Sequence, residues 1–322
     1  MTQAQAQAQV QTQAQTQNLT RDSLAYARET WRTLEPYHGA VYFSPEAASR
    51  YGELGVDART GYVASRSAAL GAASAEVVIA TFYNFNPQLV RRAIPAAWEV
   101  ATPQQFTAAR LAGIDATLRR ILGAEVSSPA MVRAAELARS AAEVTVHHPQ
   151  GRPLFAAHAA LSWPSEPHLV LWHAQTLLRE FRGDGHVGAL LTAGLSGVEA
   201  LVTHGAAGDV DAGVLRDSRA WTPQQWDEAV TSLRERGWLD DGPDLALTED
   251  GARRRAEIEH TTDRLAALPY LTLGPTACAE LRSYVRPFSL ALARELLPWA
   301  VGRLKEESAG DRAPGPGTPD GA

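Results

Sequence analysis

Apolar residues recur at helical spacing through most of the chain and seldom alternate as strand residues do, so the pattern predicts a mainly α protein. Ser44-Pro45-Glu46 supplies a capping side chain, a proline at the first helical position and an acid in the first turn, and Gly55 stands where a helix stop belongs. That predicts a short helix ending near Leu54. Further helices are predicted at 22–35, 74–84, 87–97, 103–122, 128–143, 165–182, 185–203, 222–236, 248–267 and 277–303. The longest apolar run, 187–202, is interrupted by glycines, Ser196 and Glu199. It falls short of the roughly 20 residues a membrane-spanning helix needs, so it reads as a buried helix.

Residues 1–20 alternate Gln, Ala and Thr, and 307–322 are rich in Pro and Gly. Both lack the apolar side chains that offset the entropy of ordering and are expected to be disordered tails. Between them lie an N-terminal helical half, 21–145, and a C-terminal half, 146–306. Thr-Pro-Gln-Gln followed by an aromatic residue occurs at 102–106 and again at 222–226, and Ala-Ala-Leu recurs at 68–70 and 159–161. These echoes suggest a worn internal duplication; the offsets are 120 and 91 residues, so a true repeat needs about 29 residues inserted in the second half.

The segment from Thr222 opens with a cap and a first-position proline, and its apolar positions Trp226, Val230 and Leu233 fall on one helical face. Gly237 stops the helix, residues 240–247 fit a short two-stranded wing, and Thr248-Glu-Asp-Gly opens another helix. This order, within 210–268, resembles the recognition helix, wing and following helix of MarR-type regulators.

Charge changes what that resemblance implies. The chain has 36 acidic and 30 basic residues, a net charge of −6, which argues against a generally cationic surface. Between Trp221 and Asp241 the acids Asp227, Glu228, Glu235, Asp240 and Asp241 face only Arg234 and Arg236. DNA affinity depends on Lys and Arg displacing phosphate counterions, so this element disfavours DNA. Gln224 and Gln225, which could read adenine edges, and Arg253, which could meet a phosphate, are the candidates if DNA is bound.

The most unusual segment is 171–187. On a helix His173, Thr176 and Glu180 share one face while Arg179 and Arg182 share another. Gly183 and Gly185 bracket Asp184, which predicts a helix end, a tight turn and a new helix with Asp184 as N-cap and His186 in its first turn. Guanidiniums and free amides at such a junction favour an anion. The competing reading is structural, with Asp184 capping and the arginines paired to Glu180 and neighbouring helix ends. In the first half, Asn86 and Pro87 form a similar helix start. A pseudo-twofold relation would bring Tyr83, Asn84 and Asn86 to the 179–186 junction. The candidate ligand site is therefore Arg66, Tyr83, Asn84, Asn86, His173, Arg179, Arg182, Asp184 and His186.

No spacing matches a known zinc or di-iron motif, no Gly-x-Ser-x-Gly, P-loop or Gly-x-Gly-x-x-Gly fingerprint occurs, and neither metal nor cofactor is expected. The lone Cys278 excludes an intramolecular disulfide and suits reducing cytoplasm, the expected location in the absence of a secretory signal.

Four segments, Gly61-Tyr-Val-Ala-Ser-Arg-Ser-Ala-Ala-Leu-Gly71, Ala80-Thr-Phe-Tyr-Asn-Phe-Asn-Pro87, Leu171-Trp-His-Ala and Leu178-Arg-Glu-Phe-Arg-Gly-Asp-Gly-His186, together resemble the actinobacterial SalK-type helix-turn-helix family. The resemblance implies a winged-helix fold and carries no catalytic residue with it. Phe181 stands where a histidine is expected, which removes an acid–base role at that position, and Ala69 where a proline is common. The expected function is binding of a small, anionic organic molecule on a winged-helix scaffold, with catalysis left open. The alternative is a MarR-like, ligand-responsive DNA-binding regulator. A small molecule is the expected partner under either reading, and no membrane.

Overall fold

In the computed structural model, which describes residues 19–208, 210–302 and 304–305, helix starts follow capping chemistry. Thr20, Ser44, Asp57, Ser74, Asn86, Thr102, Ser128, Ser196, Asp211, Thr222 and Thr248 each accept a hydrogen bond from an amide in the first turn of the helix they open. The helices are α1 (Arg21–Gly39), α2 (Pro45–Glu53), α3 (Ala58–Ser67), α4 (Ala75–Phe82), α5 (Pro87–Ala93), α6 (Ala96–Val100), α7 (Pro103–Leu122) and α8 (Pro129–Thr145). The second half adds α9 (Pro153–Ala159), α10 (Pro167–Thr192), α11 (Gly197–Ala206), α12 (Ala212–Ser218), α13 (Pro223–Glu235), α14 (Glu249–Ala266), α15 (Leu268–Leu273) and α16 (Pro275–Leu296). The tail expected over 1–20 lies, apart from Leu19 and Thr20, outside the described residues, as does that over 307–322.

The expected break inside 183–185 is absent. Helix α10 runs unbroken from Pro167 to Thr192 and turns only at Gly194, whose φ is +66°. The glycines mark close packing instead. A Cβ on Gly185 would sit 2.8 Å from Nη1 of Arg152 and 3.2 Å from Cβ of Leu265, so only glycine lets α14 and the Arg152 side chain approach here. The pattern also missed α3, α9, α12 and α15, short helices whose apolar faces repeat too few times to show a period.

Two apolar cores share α10 as a spine. The larger gathers α1–α10 with α15 and α16, around Tyr37, Phe106, Leu118, Phe155 and Leu171. Along it α16 lies on α1, α2 on α7, and α8 on α10. The smaller holds Ala189 and Leu190 from the end of α10 together with Leu201, Leu215, Trp226, Leu233, Trp238 and Ile258 from α11–α14. No strand forms among the described residues. The segment expected to make a two-stranded wing is a hairpin with one antiparallel bridge, Leu239 to Leu247. Nor is any single helix among those residues long and apolar enough to cross a membrane.

The two Thr-Pro-Gln-Gln sequences build the same device. Thr102 and Gln105 at the start of α7, and Thr222 and Gln225 at the start of α13, each exchange side-chain and backbone hydrogen bonds as a capping box.

Candidate functional site

Helix α12, the turn 219–222 and α13 follow one another in the order helix, turn, helix, and α11 packs on both helices. Trp226, Ala229 and Leu233 turn inward, leaving Gln224, Asp227, Glu228, Thr231 and Glu235 exposed along a shallow groove of about 590 Å³. Basic side chains nearby are engaged elsewhere. Arg234 donates to the carbonyls of Asp240 (2.9 Å) and Gly242 (2.8 Å), Arg236 pairs with Glu199 (2.8 Å), and Arg253 pairs with Asp250. Gln225 is held by its capping box and by Asn86, and Gln224 donates to Glu228 at 2.9 Å. The outer face of α13 therefore carries three carboxylates and no cation.

The charged residues of α10 divide among separate partners. Arg182 meets Asp263 at 2.7 Å and stacks on Trp31, while Arg28 binds the same Asp263 from α1. His186 lies 2.9 Å from the Thr262 hydroxyl, and burial holds its ring neutral with a pKa lowered to about 4. His173 packs edge-on against Trp163 and is lowered to about 4 by burial and by Arg139. Asp184 caps a helix other than the expected one: its carboxylate accepts the amide of Phe155 at 2.9 Å and so closes the N-terminus of α9, which has no cap of its own.

Burial raises the Asp184 pKa to about 6, against an ordinary value of 3.8. The folded state thus holds this proton more tightly than the unfolded chain, and the stability so gained is lost as pH rises from about 4 through 6. Asp184→Asn keeps an acceptor for Phe155 and removes the buried charge. Urea unfolding should find the variant more stable than wild type by about 1–2 kcal/mol at pH 7.5, with the difference shrinking on acidification and vanishing near pH 3. A less stable variant at pH 7.5 would mean that the ionised cap outweighs the cost of its burial.

A second group gathers farther back along α10. Glu180, only 1% exposed, receives Arg66 from α3 and Arg179 from its own helix, each at 3.1 Å, and Arg179 also reaches Glu35 at 2.9 Å. These two arginines hold the Glu180 carboxyl far below the usual carboxylate range. Around them runs a ladder of rings, Tyr42, Tyr62, Phe85 and Phe82, with successive centroids 5.1, 5.7 and 5.6 Å apart. A guanidinium faces each end: Arg110 and Arg179 lie 5.2 Å from the Tyr42 ring, Arg219 lies 5.2 Å from Phe85, and Arg66 lies 4.5 Å from Phe82. Burial and the surrounding arginines keep His38 and His158 neutral.

Of the nine residues expected to form one site, Arg66 and Arg179 therefore meet through Glu180. Arg182 and His186 face α14, Asp184 faces α9, and His173 faces Trp163. Arg110, Arg219, Tyr42 and Tyr62 were not anticipated. An arginine at the Phe106, Arg110, Gly113, Ile114 face of α7 was a readable signal, because a charge on an otherwise apolar helical face asks for a partner.

Tyr83, Asn84 and Asn86 approach the helix-turn-helix rather than 179–186. The Tyr83 hydroxyl donates to the carbonyl of Leu195, Trp221 Nε1 donates to that of Asn84 (2.9 Å), and the Asn86 amide donates to that of Arg219 (3.0 Å). The Asn86 side chain reaches Ala220 (3.0 Å) and Gln225 (2.9 Å). Tyr83 and Ala220, at φ +57° and +58°, both lie on this seam and hold a conformation that non-glycine residues seldom adopt.

One cluster of metal-ligand type occurs among the described residues. Asp115, Glu166 and His168 bring ligand atoms within 4.8 Å of one another. Arg119 pairs with both carboxylates and supplies the positive charge there.

The pattern of a helix-turn-helix family matches residues 27–298, and the chain belongs to that family. No curated protein and no solved structure matches the chain.

Proposed function

We propose that the protein is a ligand-responsive, regulator-like member of its family, of the MarR-like, SalK-type kind that the sequence resembles. Its N-terminal half senses a small organic anion and the α11–α14 unit responds. One observation carries this reading: the turn of the helix-turn-helix sends Arg219 into the ring-and-arginine cluster while its backbone carbonyls accept from Asn86 and the Trp221 indole donates to Asn84. A change of charge in the cluster thus acts on the element that positions α13.

DNA is the partner that family membership suggests, with Gln224 and Arg253 exposed for it. A second reading, a small-molecule binder or enzyme on this scaffold with no nucleic-acid partner, is favoured by the carboxylates on the face of α13. Fluorescence anisotropy of a labelled mixed-sequence duplex separates the two. Under the regulator reading the duplex is retained at low salt and released as salt rises, because phosphate contacts displace counterions. No retention at low salt leaves the second reading standing.

A further inference from the structure

Four guanidiniums surround the ring ladder, and two carboxylates reach them. Glu180 and Glu35 answer Arg66 and Arg179, whereas Arg110 and Arg219 have no carboxylate partner among the described residues. Arg110 is 3% exposed; one of its amines donates to the Tyr42 hydroxyl at 3.3 Å, and its buried Nε has no hydrogen-bond partner. The Arg219 side chain donates to its neighbour Ser218 at 2.8 Å, and its buried Nε is likewise unpartnered. Two positive charges are left without a counterion. Arg110 is buried and Arg219 half-buried; burying the Arg110 charge costs several kcal/mol, which its contacts with the Tyr42 and Trp172 rings, about 0.5–2 kcal/mol each, offset only in part.

The geometry points to a binding site for a small organic dianion with a flat aromatic body, its negative groups held by Arg110 and Arg219 and its ring laid against the partly exposed Tyr42 and Tyr62. This rests on the sensor reading above and names the class of molecule sensed. Guanidinium forks suit carboxylate and phosphate oxygens alike, and Tyr42 and Tyr62, which meet edge to face with centroids 5.1 Å apart, offer aromatic surface to a further ring. Tyr42, Tyr62, Arg66, Arg179 and Arg219 are only half-buried, whereas Arg110, Phe82 and Phe85 are buried. Burial first, and the neighbouring arginines after it, depress the His38 and His158 rings, so neither adds a positive charge here. Because Arg219 belongs to the helix-turn-helix turn, closing it onto an anion draws on the seam.

The full chain is titrated calorimetrically and by thermal unfolding with phthalate and phenyl phosphate, with sulfate as a charge without a ring and benzoate as a ring with one charge. Phthalate or phenyl phosphate should bind and raise Tm, whichever is tighter telling dicarboxylate from phosphate monoester. Sulfate and benzoate should bind at least about tenfold more weakly. Arg219→Met should fold with an unchanged or higher Tm, because a half-buried charge without a carboxylate partner is gone, and should weaken the tighter ligand by about tenfold or more. Arg219→Lys, which keeps the charge and loses the fork, should fall between. Failure of both dianions to bind, sulfate binding equally well, or unchanged affinity in Arg219→Met overturns the site. A protein that retains DNA yet ignores all four anions loses this site and keeps its regulator role. One that binds phthalate through Arg219 and ignores DNA supports the site and loses only the DNA arm.

Discussion

Glu180→Gln should destabilise the folded protein by about 3–5 kcal/mol at neutral pH, the cost of removing one partner from a buried ion pair. The side chain keeps its shape and loses its charge; Arg179 keeps Glu35, while Arg66 loses its one carboxylate partner among the described residues. The pH dependence gives a second reading of the same event. The folded-state pKa of Glu180 is depressed, so its contribution is present above the ordinary glutamate value near 4.5 and is lost as pH falls below it. Wild type should therefore lose more stability than Glu180→Gln on acidification from pH 6 to pH 3.5, and the two unfolding curves should converge. Adding Arg66→Met to the variant should recover part of the loss, because one of the stranded charges goes with it. A loss below about 1 kcal/mol for Glu180→Gln would mean that water reaches these arginines and that the surplus charge of the cluster is not buried.

What could be read in the sequence follows from the range of the interactions. Caps and capping boxes use residues three apart, so the starts at Ser44, Thr102, Ser128 and Thr222 were visible without a structure. Gly183-Asp184-Gly185 uses partners far away in the chain. The carboxylate serves an amide of α9, and Gly185 admits Arg152 and Leu265, yet locally the triplet looks like a helix end and a new cap. Arg66 and Arg179 were identified as charges with a task, and they do share Glu180. Their neighbours Arg110 and Arg219 are brought in by α7 and by the helix-turn-helix turn, and no spacing along the chain connects them. The acidity of 221–241 needed only a count of charges, and the geometry sharpens it: the inward-facing positions of α13 are apolar, while Arg234 is spent on the carbonyls of the following hairpin.

The seam between the two cores should prove more sensitive to volume than to charge, and Gly197→Ala is the sharpest probe of it. A Cβ at this first position of α11 would lie 2.1 Å from the carbonyl oxygen of Tyr83 and 2.9 Å from Cα of Asn84. Both are backbone atoms, and Tyr83 already holds a positive φ, so no side chain can swing aside to make room. Alanine itself suits a helix better than glycine, which means that any loss comes from the contact and not from helix propensity. The expected cost is about 3 kcal/mol, at the upper end of overpacking penalties, because α11 must move off the Tyr83–Asn86 segment. Its movement would pull on the Tyr83 to Leu195, Trp221 to Asn84 and Asn86 to Ala220 hydrogen bonds together. Hydrogen exchange should then show faster amide exchange across α11–α13, while α1, α8 and α16 in the larger core keep their protection. Loss of protection spread evenly over both cores would instead show that they unfold as one unit, and the seam could not then act as the link between an anion in the ring ladder and the helix-turn-helix.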